Sequence, residues 1–271
     1  MWSRRCYVLA VFLMMPAATL AQNLTWERLT DGLAVTVWKP TAECPEVPPS
    51  LVTDIDPRRY RFSVHYYADE GLSEPPTIED WQKRTGHYVL FNAGLFRENF
   101  SYLGLLYKDG RSLGSRRHTT WQGLFVAEPT TSEAANARVL DLSVDTFDEQ
   151  RLAYKEAAQA LMLLDRAGKI RVRQTGKRAF QTVVGETANG HILVFKSLDP
   201  VTLYDLGQCV KDRLPVVRQV MAMDGGSSSD MLIPTSLWQG GEQAHAAWKS
   251  LFAGTTAIHI PLPAVIGISP R

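Results

Sequence analysis

Residues 220–232 read V-M-A-M-D-G-G-S-S-S-D-M-L. Four apolar residues run into Asp224, Gly225 and Gly226, three serines follow, and the chain turns apolar again at Met231. Such a stretch admits three readings: a serine nucleophile on a sharp turn, a cradle for an anion, or a tight connection between buried elements. A nucleophile elbow needs G-x-S-x-G, with a helix behind it. Here Ser229 stands where the last glycine belongs, and Pro234 arrives too early for a helix. The histidines are scattered and none is marked out as a base, so the spacing argues against acyl transfer. Gly225, Gly226, Ser227, Ser228 and Ser229 could instead converge backbone N–H groups and hydroxyls on an anion. The G-K-[ST] that completes a P-loop is missing. Taken alone, a plain turn is the commoner fate of a D-G-G-S stretch.

Working outward, Val217–Met223 is a buried strand, and Leu203–Asp212 has helical spacing behind a capping Thr202. Thr182–Gly185 and His191–Phe195 pair as a hairpin about Thr187–Gly190. Leu33–Lys39 and Arg59–Tyr67 alternate apolar and polar residues as half-buried strands do. His87–Phe91, Leu103–Lys108 and Gly123–Ala127 are short strands, and Thr77 caps a short helix through Lys83. Thr41–Ser50, with Cys44 and three prolines, is a loop. Residues 109–120 form a polar loop with clustered positive charge. Residues 150–168 have a helix-forming composition, yet A-L-M-L-L-D-R-A-G-K-I-R-V at 160–172 also reads as two strands about Asp165–Gly168. Thr256–Ile260 closes the set. Strands dominate and no linker or repeat interrupts them. The expectation is an α+β fold, one domain around a large mixed, mostly antiparallel β-sheet with few helices.

The 271 residues are 45% hydrophobic and carry 29 basic against 28 acidic side chains. That balance leaves no basic footprint for nucleic acid. Arg4 and Arg5 precede an apolar run, and Thr19-Leu20-Ala21 offers small residues before Gln22, the layout of a secretory signal peptide over residues 1–21. The run is too short to span a membrane, so no span is expected after cleavage, and the domain occupies residues 22–271 in the periplasm or outside the cell. Two cysteines then remain, Cys44 and Cys209. In an exported chain they either form one disulfide or stay as separate buried thiols, and the bond is the expectation.

Three further side chains carry chemistry only in combination. Asn92 ends a strand in F-N-A-G-L-F at 91–96, ahead of Gly94. Arg178 precedes a strand in T-G-K-R-A-F-Q-T-V-V-G at 175–185, where it could hold a phosphate. Glu186 follows Gly185. Trp121, Trp238 and Trp248 could line a sugar site, although tryptophan is more often core. No H-E-x-x-H, C-x-x-C or EF-hand loop occurs. No cofactor is expected, and the sequence leaves a divalent cation open.

In this order the fragments resemble the phosphodiester glycosidase family. Its pattern has a strand ending in N-[GA]-G-x-F, then G-L and a second glycine turn, matched by Asn92 to Phe96, Gly104-Leu105 and Asp109-Gly110. A strand, a turn and an arginine block before a hairpin follow, matched by Leu161–Leu164, Ala167-Gly168-Lys169 and Arg178 through Gly185. Last comes L-D-G-G-[GS]-S-S, matched by Met223 through Ser229. The match covers about residues 60–235 and turns the 158–172 stretch into a hairpin. Ala93, Ser227 and K-R-A-F-Q-T depart from the commonest family residues. The resemblance implies hydrolysis of a sugar-1-phosphodiester to sugar and phosphomonoester, on envelope or extracellular glycans. It implies Asp224 as the catalytic carboxylate, Asn92 orienting sugar or water, Arg178 and Gly225–Ser228 holding phosphate with Gly94 and Ser229 also in the substrate-binding set, and Glu186 as a weaker second carboxylate. The implied partner is a phosphorylated glycan or sugar phosphodiester. Competing readings are an envelope protein that binds glycan-phosphate without catalysis, and a hydrolase of another phosphodiester polymer. The sequence does not fix the oligomeric state.

Overall fold

The computed structural model describes residues 24–238 and 259–271. The expected signal peptide, Trp248 and most of Thr256–Ile260 lie outside the described residues.

In chain order the strands begin with β1 (Glu27–Thr30), β2 (Leu33–Trp38), β3 (Ser50–Ile55) and β4 (Tyr60–Tyr66), followed by helix α1 (Ile78–Thr85) and β5 (Val89–Asn92). Next are β6 (Leu106–Lys108), β7 (Arg111–Ser112), β8 (Gly123–Pro129), β9 (Ala137–Asp141) and the long β10 (Tyr154–Leu164). The hairpin β11 (Thr182–Thr187) and β12 (Ile192–Ser197) leads to helix α2 (Leu203–Arg213), then β13 (Val217–Ala222), β14 (Met231–Leu232) and β15 (Ala264–Pro270). Two sheets result. An 11-stranded sheet runs β1-β2-β3-β12-β11-β13-β10-β6-β7, with β8 on β10 and β9 on β8, and a 4-stranded sheet runs β14-β5-β15-β4. Between the named strands of the described residues, every pairing is antiparallel.

Strand periodicity sorts the side chains into layers. In β5 and β15, Phe91 and Ile266 face the larger sheet, while Leu90 and Val265 face Ile78 and Trp81 of α1. In β13 and β11, Met221 and Val184 face the smaller sheet, while Val220 and Val183 pack with Leu206 and Val210 of α2. The order is therefore α1, small sheet, large sheet, α2. Phe62 and Phe125 meet edge to face between the sheets, centroids 5.2 Å apart. The β4 edge is covered by carboxylates: the Phe62 and Val64 amides donate to Glu128 and Glu156 at 3.2 and 2.7 Å, which removes an open pairing edge.

Both helices start as the sequence predicts, with Thr77 and Thr202 hydroxyls accepting from the Asp80 and Asp205 amides. Residues 154–164 are strand despite their helix-forming composition. β10 is buried along most of its length between β13 on one side and β8 and β6 on the other, and that tertiary pairing outweighs local propensity. Cys44 and Cys209 are bonded, joining residues 165 positions apart and tying the loop after β2 to α2.

Candidate active site

The end of β13 and the end of β5 meet although they belong to different sheets. The Asp224 amide donates to the Ala93 carbonyl at 3.1 Å, and the Asn92 side-chain amide donates to the Asp224 carbonyl at 2.8 Å. The same Asn92 accepts from the Asp230 amide through Oδ1 at 3.0 Å, and its backbone donates to the Asp230 carbonyl at 3.1 Å. Asn92 thus clasps both ends of the D-G-G-S-S-S-D loop. With Nδ2 also on the Ala93 carbonyl, both of its N–H donors are spent on the loop, so its evident work is to position that loop.

Asp224 lines a cavity of about 580 Å³. Burial pushes its carboxyl up to about 6, against the pull of hydrogen bonds from the Ser228 hydroxyl and the Gly225 amide. No basic side chain pairs with it among the described residues, so one carboxylate is held mainly by neutral donors in a partly dry site. Trp121, Leu161 and Tyr204, the last in the first turn of α2, also line it. His118 stacks on Trp121 with centroids 3.9 Å apart and planes 16° from parallel. Buried Gln159 fixes that turn, since its Nε2 donates to the His118 and Trp121 carbonyls and its Oε1 accepts from the His118 and Leu105 amides.

Gly94 is near Asp224 but serves packing. Its amide donates to the Tyr102 hydroxyl at 3.0 Å, which donates to the Gln159 carbonyl at 2.8 Å, and a Cβ at Gly94 would overlap both groups. Complete burial, with the Asp224 charge adding to it, drives the Tyr102 phenol well above its usual range, so it remains a neutral donor. The expected phosphate cradle is largely spent. The Gly225 amide donates to Asp224 Oδ1 and the Gly226 amide to the Phe180 carbonyl. Ser228 holds Asp224, and the Ser229 hydroxyl bonds Thr182 at 2.9 Å. Ser227 alone of the three serines is exposed.

Two expected residues stand elsewhere. Arg178 turns away from the cavity, to the Glu46 carboxylate at 3.1 Å and to the carbonyls of Glu46 and Pro200. Its place facing the cavity is taken by Lys177 and Arg173, exposed cations that have no acidic partner among the described residues. Arg171 also lines the cavity, but Asp141 and Asp165 neutralise it at 3.0 and 3.3 Å. Glu186 lies four residues along β11 from Thr182, whose carbonyl accepts the Met223 amide; at a strand's rise that is about 13 Å from this end of the sheet. Its carboxylate accepts from the Val139 amide and the Gln219 side chain, both at 2.9 Å. It is a structural carboxylate. The basic run R-V-R-Q-T-G-K at 171–177 was the available signal for the cavity's cations; which residue of the K-R pair faces inward depends on a one-residue register that composition does not encode.

Trp238 packs against the main core between the sheets. Among the described residues, no group of three or more His, Cys, Asp or Glu side chains is arranged to hold a metal ion, and no helix is long and apolar enough to cross a membrane.

The model of the phosphodiester glycosidase family matches residues 85–268. No curated protein matches the chain. Among solved structures, a hypothetical protein from Synechocystis superposes with a TM-score of 0.60 at 11% identity over 93% of this chain, which spans 64% of the length of that protein. The zebrafish N-acetylglucosamine-1-phosphodiester alpha-N-acetylglucosaminidase catalytic domain, auto-inhibited by its pro-peptide, gives 0.59 at 14% identity, over 95% of this chain and 87% of that one. A protein from Burkholderia pseudomallei K96243 described as exported gives 0.53 at 11%, over 82% and 74% of the two chains. At these identities the likeness is one of fold.

Proposed function

The chain belongs to the phosphodiester glycosidase family, and from that footing we propose that it hydrolyses a sugar-1-phosphodiester, releasing a free sugar and a phosphomonoester. The observation that carries this reading is that one cavity is lined both by a half-buried carboxylate without a cation and by two cations without a carboxylate. Arg173 and Lys177 would neutralise the phosphate, a leaving group that needs its charge held more than it needs a proton. Asp224 would act as a carboxylate, taking a proton from the attacking water or stabilising the oxocarbenium-like centre. Trp121 offers an aromatic surface for the sugar, and the cavity lies within the usual range for small-ligand sites. Asn92, Gly94, Ser228 and Gln159 would act by holding these groups in place.

The reading includes export, with residues 1–21 as the signal peptide and one domain from residue 22, and a phosphorylated glycan of the envelope or exterior as substrate. The Cys44–Cys209 bond suits an oxidising compartment. The direct test is incubation of the protein with UDP-GlcNAc and with methyl-phosphate glycosides, followed by assay of free sugar and phosphomonoester. Release of both is expected, with kcat/KM falling as the pH drops below about 6 because Asp224 then gains its proton. Saturable binding of these compounds with no product would overturn the hydrolase in favour of a glycan-phosphate binding protein.

A further inference from the structure

A second cavity, of about 380 Å³, opens at the opposite end of the large sheet. It is built where β11 ends, β12 begins and α2 hands over to β13, so the length of β13, roughly 17 Å at a strand's rise, separates it from the Asp224 end. One wall is apolar, with Trp26, Leu214, Pro215 and Val216. Val216 is 47% exposed, unusual for a large hydrophobic residue in this fold. The polar part of the lining is Asp54, Asn189, His191 and Arg213. His191 Nδ1 and Asp54 Oδ1 are 2.7 Å apart, which fixes the imidazole and leaves Nε2 as its second polar position.

Arg213 is the informative residue. Its Nε is buried and has no hydrogen-bond partner, and the guanidinium makes no ion pair among the described residues. Of the buried side-chain atoms lacking a partner there, it is the only one on a permanently charged group. A cation in the last turn of α2 suits the helix carbonyls, but that role does not require a buried, unanswered N–H beside a cavity. Orphaned buried donors of this kind call for an explanation, and a bound ion is one of the accepted ones.

We propose that this cavity is a second carbohydrate site that takes a hexuronic acid, or the uronate residue of an acidic glycan, with Arg213 on the carboxylate and Trp26 against the ring. A planar guanidinium offers a carboxylate two parallel hydrogen bonds. A carboxylate brings one negative charge to a cavity that already holds the Asp54 carboxylate, whereas a phosphate dianion would bring two against the single Arg213 cation. The apolar wall suits the C–H face of a pyranose, and Asp54, Asn189 and His191 can read its hydroxyls. The site uses none of the residues assigned to hydrolysis, so it stands or falls apart from that assignment.

The test is calorimetric titration of the full chain with D-glucuronate, and in parallel with glucose, acetate and inorganic phosphate. Saturable glucuronate binding is expected, weakened about tenfold or more by Arg213→Gln and by Trp26→Ala, and unchanged in Asp224→Asn. Circular dichroism of each variant establishes that it is folded, and Arg213→Lys, which keeps the charge without the fork, should recover little of the affinity. Glucuronate binding that survives Arg213→Gln overturns the proposal, as does an absence of saturable binding at millimolar concentrations. Glucose or phosphate binding as tight as glucuronate overturns the ligand class.

Discussion

Asp224 and Glu186 are carboxylates on neighbouring strands of one sheet, β13 with its extension and β11, yet they differ in how completely their bonding capacity is used. Glu186 is 6% exposed and faces the Val139 amide, the Gln219 side chain and, at 3.7 Å, Arg138. Asp224 has one serine hydroxyl and one glycine amide, with a cavity beyond. Burial alone therefore does not mark a functional carboxylate. The useful distinction is whether the surrounding donors already satisfy the charged form, because a satisfied carboxylate has nothing left to offer a reaction while an undersupplied one is raised toward the working pH. The same contrast separates Arg178, whose fork is occupied by Glu46 and Pro200, from its neighbour Lys177.

The largest effect that can break this comparison is on turnover. Asp224→Asn should lower kcat on the order of a thousandfold or more, the scale of lost catalytic electrostatics. Glu186→Gln keeps an acceptor for the Val139 amide and should leave kcat within about threefold. Steady-state rates on methyl-phosphate glycosides and UDP-GlcNAc, the substrates proposed above, decide it. Equal losses in the two variants would show that degree of satisfaction does not sort these carboxylates.

Next in size is the phosphate side. Removing Arg173 and Lys177 together should raise KM about 10- to 100-fold, since each charge-assisted contact is worth about 1.5–3 kcal/mol and part of it is screened at an open site. Arg178→Ala should change KM by no more than about threefold, because its bonds run to Glu46 and Pro200. The reverse ranking would return Arg178 to the site and put the 171–181 segment in a different register.

Much of this was legible before the structure. Both helix caps, the hairpin β11–β12 and the strand into Asp224 follow from local pattern. Other elements were not, for identifiable reasons. β3 buries Ser50 and Thr53 and follows two prolines, so its period is blurred. β15 holds Gly267, against which the His87 ring packs too closely for any Cβ, and it lies between prolines. Glycine and proline ordinarily demote a strand, so the strand Ala264–Pro270 had no clear local signal. At the site, motif order led to Asp224, but the roles of Asn92, Arg178 and Glu186 depend on which way each side chain turns. Gln159 had no signal at all, because a glutamine in a helix-forming stretch becomes a scaffold only once β10 is placed in the centre of the sheet.

The smallest effect, and the sharpest form of the comparison, is on stability. Glu186→Ala leaves the Val139 amide and Gln219 without their acceptor in a buried place, and should cost about 1–3 kcal/mol in urea unfolding at pH 7. Asp224→Asn should do the opposite. The Asp224 carboxyl titrates near about 6 in the folded protein, raised above the unfolded value of 3.8. Between those values the folded state therefore binds more protons than the unfolded one. The contribution of this group is full below the unfolded pKa and is lost as the pH rises through about 6. Asparagine carries no such penalty, so the variant should match the wild type near pH 4 and exceed it at pH 7. Because the side chain is partly open to solvent, the gain should be about 1 kcal/mol. A site that holds a carboxylate unsatisfied for catalysis is predicted to be more stable without it, and a variant that is less stable than wild type at pH 7 would mean that Asp224 is instead part of the scaffold, as Glu186 is.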